Sequence, residues 1–244
     1  MTKRNKQTVT DLRWERKKRM GRKTNQKFVE EEKMPPIQAK TEAQKDLFKA
    51  LVNSSVVAAI GPAGTGKTFC SVGTAADRLK RGEIDKICIS RSYEMMGSSA
   101  GLLPGTISEK LQPLLMPMLD VLEKRLGRGC LETQLSNKNI EIVPLETLRG
   151  RSFDNAVLFI DECQNTTVKE MHSIITRIGE NTQLILMGDD RQKDIKGLSG
   201  LEWFCDMVDK YSPSGADYVE FSIEDCVRSD ICSQFLRIID AEVS

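Results

Sequence analysis

The stretch Val56 to Thr68, VVAAIGPAGTGKT, constrains what this chain can fold into more than any other. It opens on an unbroken apolar run, Val56 to Ile60, rich in β-branched residues. So short a run, without polar alternation, reads as a strand buried on both faces. It ends at Gly61-Pro62 and continues through Ala63, Gly64, Thr65 and Gly66 to Lys67-Thr68, which fits the spacing G-x-x-x-x-G-K-[ST]. Glycines let successive backbone N–H groups curl round a phosphate with no Cβ in the way. The helix expected over 67–80 points its orphan N-terminal donors and partial positive charge at the same anion. Lys67 is then placed to reach the β/γ-phosphates, and the Thr68 hydroxyl to ligate Mg²⁺.

A second apolar run, Ala156 to Asp161 (AVLFID), is followed at once by Glu162. A parallel strand ending in Asp sets its carboxylate at the edge of the sheet where ligands collect. Asp161 is read as holding Mg²⁺, and Glu162 as accepting a proton from an attacking water. The run Gln183 to Met187 predicts a further strand, ending in Gly188-Asp189-Asp190-Arg191-Gln192. Gln192 is a candidate to hydrogen-bond the γ-phosphate or the water. Upstream, Thr41 is a candidate helix cap, and Gln44 stands where many nucleic-acid-dependent ATPases read the adenine edge. Arg149, Arg151, Arg177 and Arg228 are candidates to meet transition-state charge. Arg149 and Arg151 flank a glycine beside the Asp161 strand, which suggests a finger supplied to a neighbouring subunit.

Elsewhere the pattern alternates strand and helix. Lys86 to Ser90 predicts a second strand, reached by a right-handed parallel crossover. Residues 91–126 carry too much Gly and Pro for a simple connecting helix and read as an inserted module. Short strands are expected at 140–142 and 218–221, and helices over 198–210 and 228–241. His172 is read as a helix-surface residue.

The formal net charge of +1 gives no bulk attraction to nucleic acid or membrane. It is unevenly spread: residues 1–23 hold ten Lys/Arg against Asp11 and Glu15. Residues 1–34 therefore read as a flexible basic arm, of the kind that touches nucleic acid, and 35–244 as one folded domain. Seven scattered cysteines, no C-x-x-C pair and one histidine show no zinc framework and read as free thiols. No apolar run has the length of a membrane span, so a soluble, cytoplasmic protein is expected.

Several blocks together resemble one family: GPAGTGKT (61–68), LLPGTISEKLQPLLMPMLD (102–120), IEIVPLETLRGRSF (140–153), FIDECQNTT (159–167), TRIG (176–179) and GDDRQKDI (188–195). The chain is similar to the PhoH-like P-loop ATPases, relatives of the superfamily I helicase core. The resemblance implies an α/β, RecA-like doubly wound parallel sheet with a helical insertion after the second strand. It implies ATP and Mg²⁺ as cofactors, hydrolysis coupled to RNA or single-stranded DNA, and a homo-oligomeric ring, a hexamer among the sizes it allows. The short single-domain form with a basic arm is similar to versions carried by bacteriophages. The chain departs from the family at Ser92, where proline is usual after the arginine, and at Asp225-Cys226-Val227-Arg228-Ser229, where Asp-Val-Val-Arg-His is usual. Helicase motors use two RecA-like lobes and this length holds one, so ATP between subunits is expected. The alternatives are a nucleotide-dependent oligomeric switch without strand separation and, ranked last, a phosphotransferase.

Overall fold

The apolar runs become neighbouring strands of one sheet. In a computed structural model, the described residues are 34–91 and 110–228, with Ile231, Gln234, Phe235, Arg237 and Ile238. From Pro36 onward the described residues cluster as one compact unit. The strands are β1 (Val56–Ile60), β2 (Lys86–Arg91), β3 (Ile140–Pro144), β4 (Ala156–Ile160), β5 (Gln183–Gly188) and β6 (Ala216–Glu220). All pair in parallel, in the order β3-β2-β4-β5-β1-β6. Parallel neighbours need crossover connections, and these lay helices on both faces. The architecture is α/β and RecA-like, with β5 between β1 and β4.

Successive strand residues point to opposite faces. Val57, Ala59, Ile87, Phe159 and Ile185 join a core with α1 (Glu42–Asn53), α2 (Lys67–Arg81) and α3 (Met116–Leu126). Ala58, Ile60, Cys88, Leu158 and Leu184 join the other core, with α5 (Val168–Ile175) and α6 (Gly200–Tyr211). The small helix α4 (Arg128–Ser136) follows α3. Two covered faces explain why these strands carry no polar alternation.

Local chemistry bounds the helices, at Thr41 and Gly82 where expected. The Thr41 hydroxyl accepts from the Gln44 amide at the start of α1. Gly82, with φ of 72°, closes α2. Capping boxes open α5 (Thr167 with Glu170) and α6 (Ser199 with Glu202). Other boundaries shift by one or two residues; β4 stops at Ile160, so Asp161 begins the loop.

The described part of the 91–126 stretch is not a separate module. Leu111, Leu115, Met118 and Leu122 are buried in the same core as Leu47 and Val72. Their three- and four-residue spacing is a helix face, which the prolines obscured. The basic arm (1–33), residues 92–109 and much of the expected 228–241 helix lie outside the described residues.

One ion pair ties α3 to α2. Arg125, 6% exposed, donates through Nε to Asp77 Oδ1 (2.9 Å) and through Nη2 to Oδ2. Removing one partner of a buried pair leaves the other charge poorly compensated. Asp77→Ala is expected to lower stability by about 3 kcal/mol, and adding Arg125→Met to recover part of that loss. Urea unfolding of both variants measures the difference.

Candidate functional site

Parallel pairing brings four strand ends to one edge. Ile60 lies opposite Gly188, Leu186 opposite Ile160, and Ile160 opposite Ser90. The glycine loop, Asp189, the Asp161-Glu162 pair and Arg91 therefore meet there. With Lys67, Thr68, Gln192 and Arg228 they line a cleft of about 450 Å³.

The loop is held from both ends. Helix α2 starts behind Gly66, whose φ of 92° and missing side chain leave the first turn without a side-chain cap. Those donors are free for an anion. Lys67 Nζ donates to the Gly61 and Pro62 carbonyls, the latter at 2.8 Å, and Thr65 Oγ1 donates to Pro62 O at 3.0 Å. Ala63 is exposed at the cleft. Burial lowers the Lys67 pKa, while Asp189, Asp161 and Glu162 oppose the shift.

Gln44 is held within the protein. It is 3% exposed; its Nε2 donates to Thr65 O (2.8 Å), and its Oε1 accepts from Lys40 N (2.8 Å). A Cβ at Gly66 would come within 2.6 Å of that Nε2. The side chain therefore braces the loop, and reading adenine requires exchange of bonds already made.

The acid pair is the electrostatic centre. Burial pushes the Asp161 carboxyl up to about 6, against the pull of Arg91. Arg91 Nη1 lies 3.3 Å from Asp161 Oδ2, and Nη2 lies 3.5 Å from Glu162 Oε1. Glu162 adopts φ of 55°, a left-handed conformation uncommon outside glycine. Gln164, 1% exposed, donates to Glu162 Oε2 and accepts from the Asp189 amide at 3.1 Å, joining the ends of β4 and β5. Gln192 Nε2 donates to Asp189 Oδ2 at 2.6 Å. Arg91, Gln164 and Asp189 were passed over as site residues in the sequence. Their signal was position: two end or follow apolar strands, and the third stands two residues past the acid pair.

The other arginines divide. Arg228 lines the cleft, its stem over Gly64, beside the bond from Val227 N to Gly64 O (3.0 Å). Neither Arg149 nor Arg151 lines it. Arg149 is exposed at a separate hollow with Leu145, Glu170 and Ile174. Arg151 pairs with Glu141 and lies 4.8 Å over the Phe153 ring. Arg177 donates to the Ser173 and Arg151 carbonyls. His172 is exposed, with its ring 4.6 Å from that of Trp203.

The donors suit a hard cation. Among the described residues no three His, Cys, Asp or Glu side chains converge as a metal cage. Mg²⁺ needs none, since it takes one or two protein oxygens and completes its shell from phosphate and water. The Thr68 hydroxyl and the Asp161 carboxylate, which line the same cleft, fit that demand. Among the described residues no helix is long and apolar enough to cross a membrane.

The Asp161 shift has a consequence for stability. With a folded pKa of about 6 against an ordinary 3.8, folding takes up a proton between those values. Stability therefore falls as pH rises through that window and is level above it. In chelator, without nucleotide, Asp161→Asn is expected to be more stable than wild type at pH 7 by about 1–3 kcal/mol, and nearly equal at pH 4. Denaturant midpoints at the two pH values check this; a difference independent of pH would contradict it.

A family model described as "PhoH-like protein" matches residues 36–240. Protein PhoH of Escherichia coli K12 is 38% identical over 209 residues, covering 83% of this chain and 58% of that protein. The PhoH-like protein of Bacillus subtilis 168 is 37% identical over 208 residues, covering 84% and 65%. The PhoH-like protein of Mycobacterium tuberculosis H37Rv is 34% identical over 207 residues, covering 84% and 57%. The chain thus spans about three-fifths of the length of these curated relatives. By its matched sequence, its RecA-like sheet and its glycine loop, the chain belongs to the PhoH-like family of P-loop nucleotide-binding proteins.

Proposed function

We propose that the protein binds Mg²⁺·ATP in this cleft and hydrolyses it. The observation that carries the reading is the meeting of the glycine loop, Lys67 and Thr68 with Asp161, Glu162 and Gln192 around one cavity. The amides of 61–66 and the start of α2 bind phosphate, and Lys67 adds its charge to the β/γ end. Thr68 and Asp161 hold Mg²⁺, which neutralises developing phosphate charge when bound. Glu162 takes the proton of the attacking water, its carboxylate fixed by Gln164. Gln192, held by Asp189, orients the water or the terminal phosphate. Arg228 supports the loop at Gly64.

We infer further that turnover is coupled to RNA or single-stranded DNA in a homo-oligomeric ring. The described sheet makes one lobe, and a neighbouring subunit could supply the other face of the ATP site for a motor. Arg149, exposed and without an ion pair among the described residues, suits a finger to a neighbour better than Arg151, which Glu141 already engages. The same single sheet also favours a second reading, a nucleotide-dependent oligomeric switch.

Glu162→Gln is expected to keep ATP affinity and lower turnover at least about 100-fold. Lys67→Ala is expected to weaken ATP binding about tenfold or more. Wild-type turnover in Glu162→Gln, followed by phosphate release, would refute the assignment. ATPase rate with and without RNA or single-stranded DNA, alongside particle mass, separates the motor from the switch: stimulation supports the first, and nucleotide-dependent assembly at unchanged rate supports the second.

A further inference from the structure

We propose that Arg91 is a phosphate-contacting arginine of this chain's own cleft, trading its hold on the acid pair for the terminal phosphate of the nucleotide. The proposal rests on the ATP reading above and adds a residue and a role to it.

The first ground is place. Arg91 ends β2, one strand from Asp161 and Glu162, and lines the cleft with Lys67 and Gln192. It stands on the far side of the acids from the glycine loop, so Lys67 and Arg91 bracket the space between.

The second ground is bonding. Charge-assisted N–H···O bonds run at about 2.7–2.9 Å. The Arg91 contacts of 3.3 and 3.5 Å are longer, and its buried Nε has no hydrogen-bond partner. Arg125 shows what a satisfied guanidinium does in this fold: its Nε and Nη2 both grip one carboxylate. Arg91 straddles two carboxylates, with one long hydrogen bond to Asp161 and an ion-pair contact of 3.5 Å to Glu162. Its unspent donors form a planar fork, the geometry that suits a phosphate.

The third ground is charge. Asp161 is shared between two demands: it pairs with Arg91, and it is the carboxylate suited to Mg²⁺. With Asp161 committed to Mg²⁺, Arg91 would keep its contact with Glu162 and its unpartnered, buried Nε. A triphosphate supplies the missing acceptor. Arg149, Arg151 and Arg177 do not compete for this task, since none of them lines the cleft.

The test is a split between two nucleotides. Arg91→Ala and Arg91→Lys are compared with wild type by calorimetric titration, using a non-hydrolysable ATP analogue and ADP, each with Mg²⁺. Circular dichroism checks folding. Losing charged bonds to a terminal phosphate weakens the analogue about tenfold or more in Arg91→Ala, with ADP held within about twofold. Arg91→Lys keeps charge without the fork and is expected to fall between. Should Arg91→Ala fail to fold, the Lys variant carries the same test: selective loss of the analogue supports the proposal. Equal weakening of both ligands, the mark of a counter-ion that only shapes the site, overturns it, as does no change in either. Wild type that binds neither nucleotide removes the ATP reading itself, whereas wild-type binding with an unaltered preference in the variants removes only the role of Arg91.

Discussion

Close main-chain contact around the glycine loop is the constraint on which the site depends. The chain beyond β6 returns against it: Phe221 N donates to Ile60 O at 2.7 Å, and Val227 N donates to Gly64 O at 3.0 Å. A Cβ at Gly61 would collide with the Phe221 carbonyl. From the other side, Gln44 holds Thr65. The loop is thus fixed by α1, by β1 and by the segment after β6. A phosphate site set in advance loses little to ordering on binding, which is the advantage of preorganised donors.

The electrostatics follow from the same crowding. Burial drives Lys67 down and Asp161 up, each toward its neutral form. Opposite charges penalised together form a site that gains from added counter-charges, and a metal with a triphosphate brings both signs. Glu162 adds backbone strain at φ of 55°. Strain and desolvation tolerated at one place lower stability locally and mark a site kept for chemistry.

Much of this was legible along the chain. VVAAI, AVLFI and QLILM are strands because both faces are covered, and Gly82 stops its helix because it tolerates φ of 72°. The acid pair was legible because a residue directly after a parallel strand lies at the carboxyl edge. Arg149 and Arg151 follow no strand directly, so their surroundings were not legible in this way. Glu141 and Phe153 engage Arg151, while Arg149 is exposed at a separate hollow. Gln44 shows another limit: its helical spacing was visible, but its bond to Thr65, twenty-one residues on, was not.

By itself, the sequence determined which apolar stretches are strands, where α1 begins and α2 ends, and that a phosphate loop and an acid pair exist. Those properties depend on neighbours within a few residues. Tertiary structure alone decided that β5 separates β1 from β4, and hence that Arg91, Gln164, Asp189 and Gln192 gather around Lys67. Strand order joins residues about a hundred positions apart through sheet pairing and two-sided burial, and no local pattern encodes which strand lies beside which.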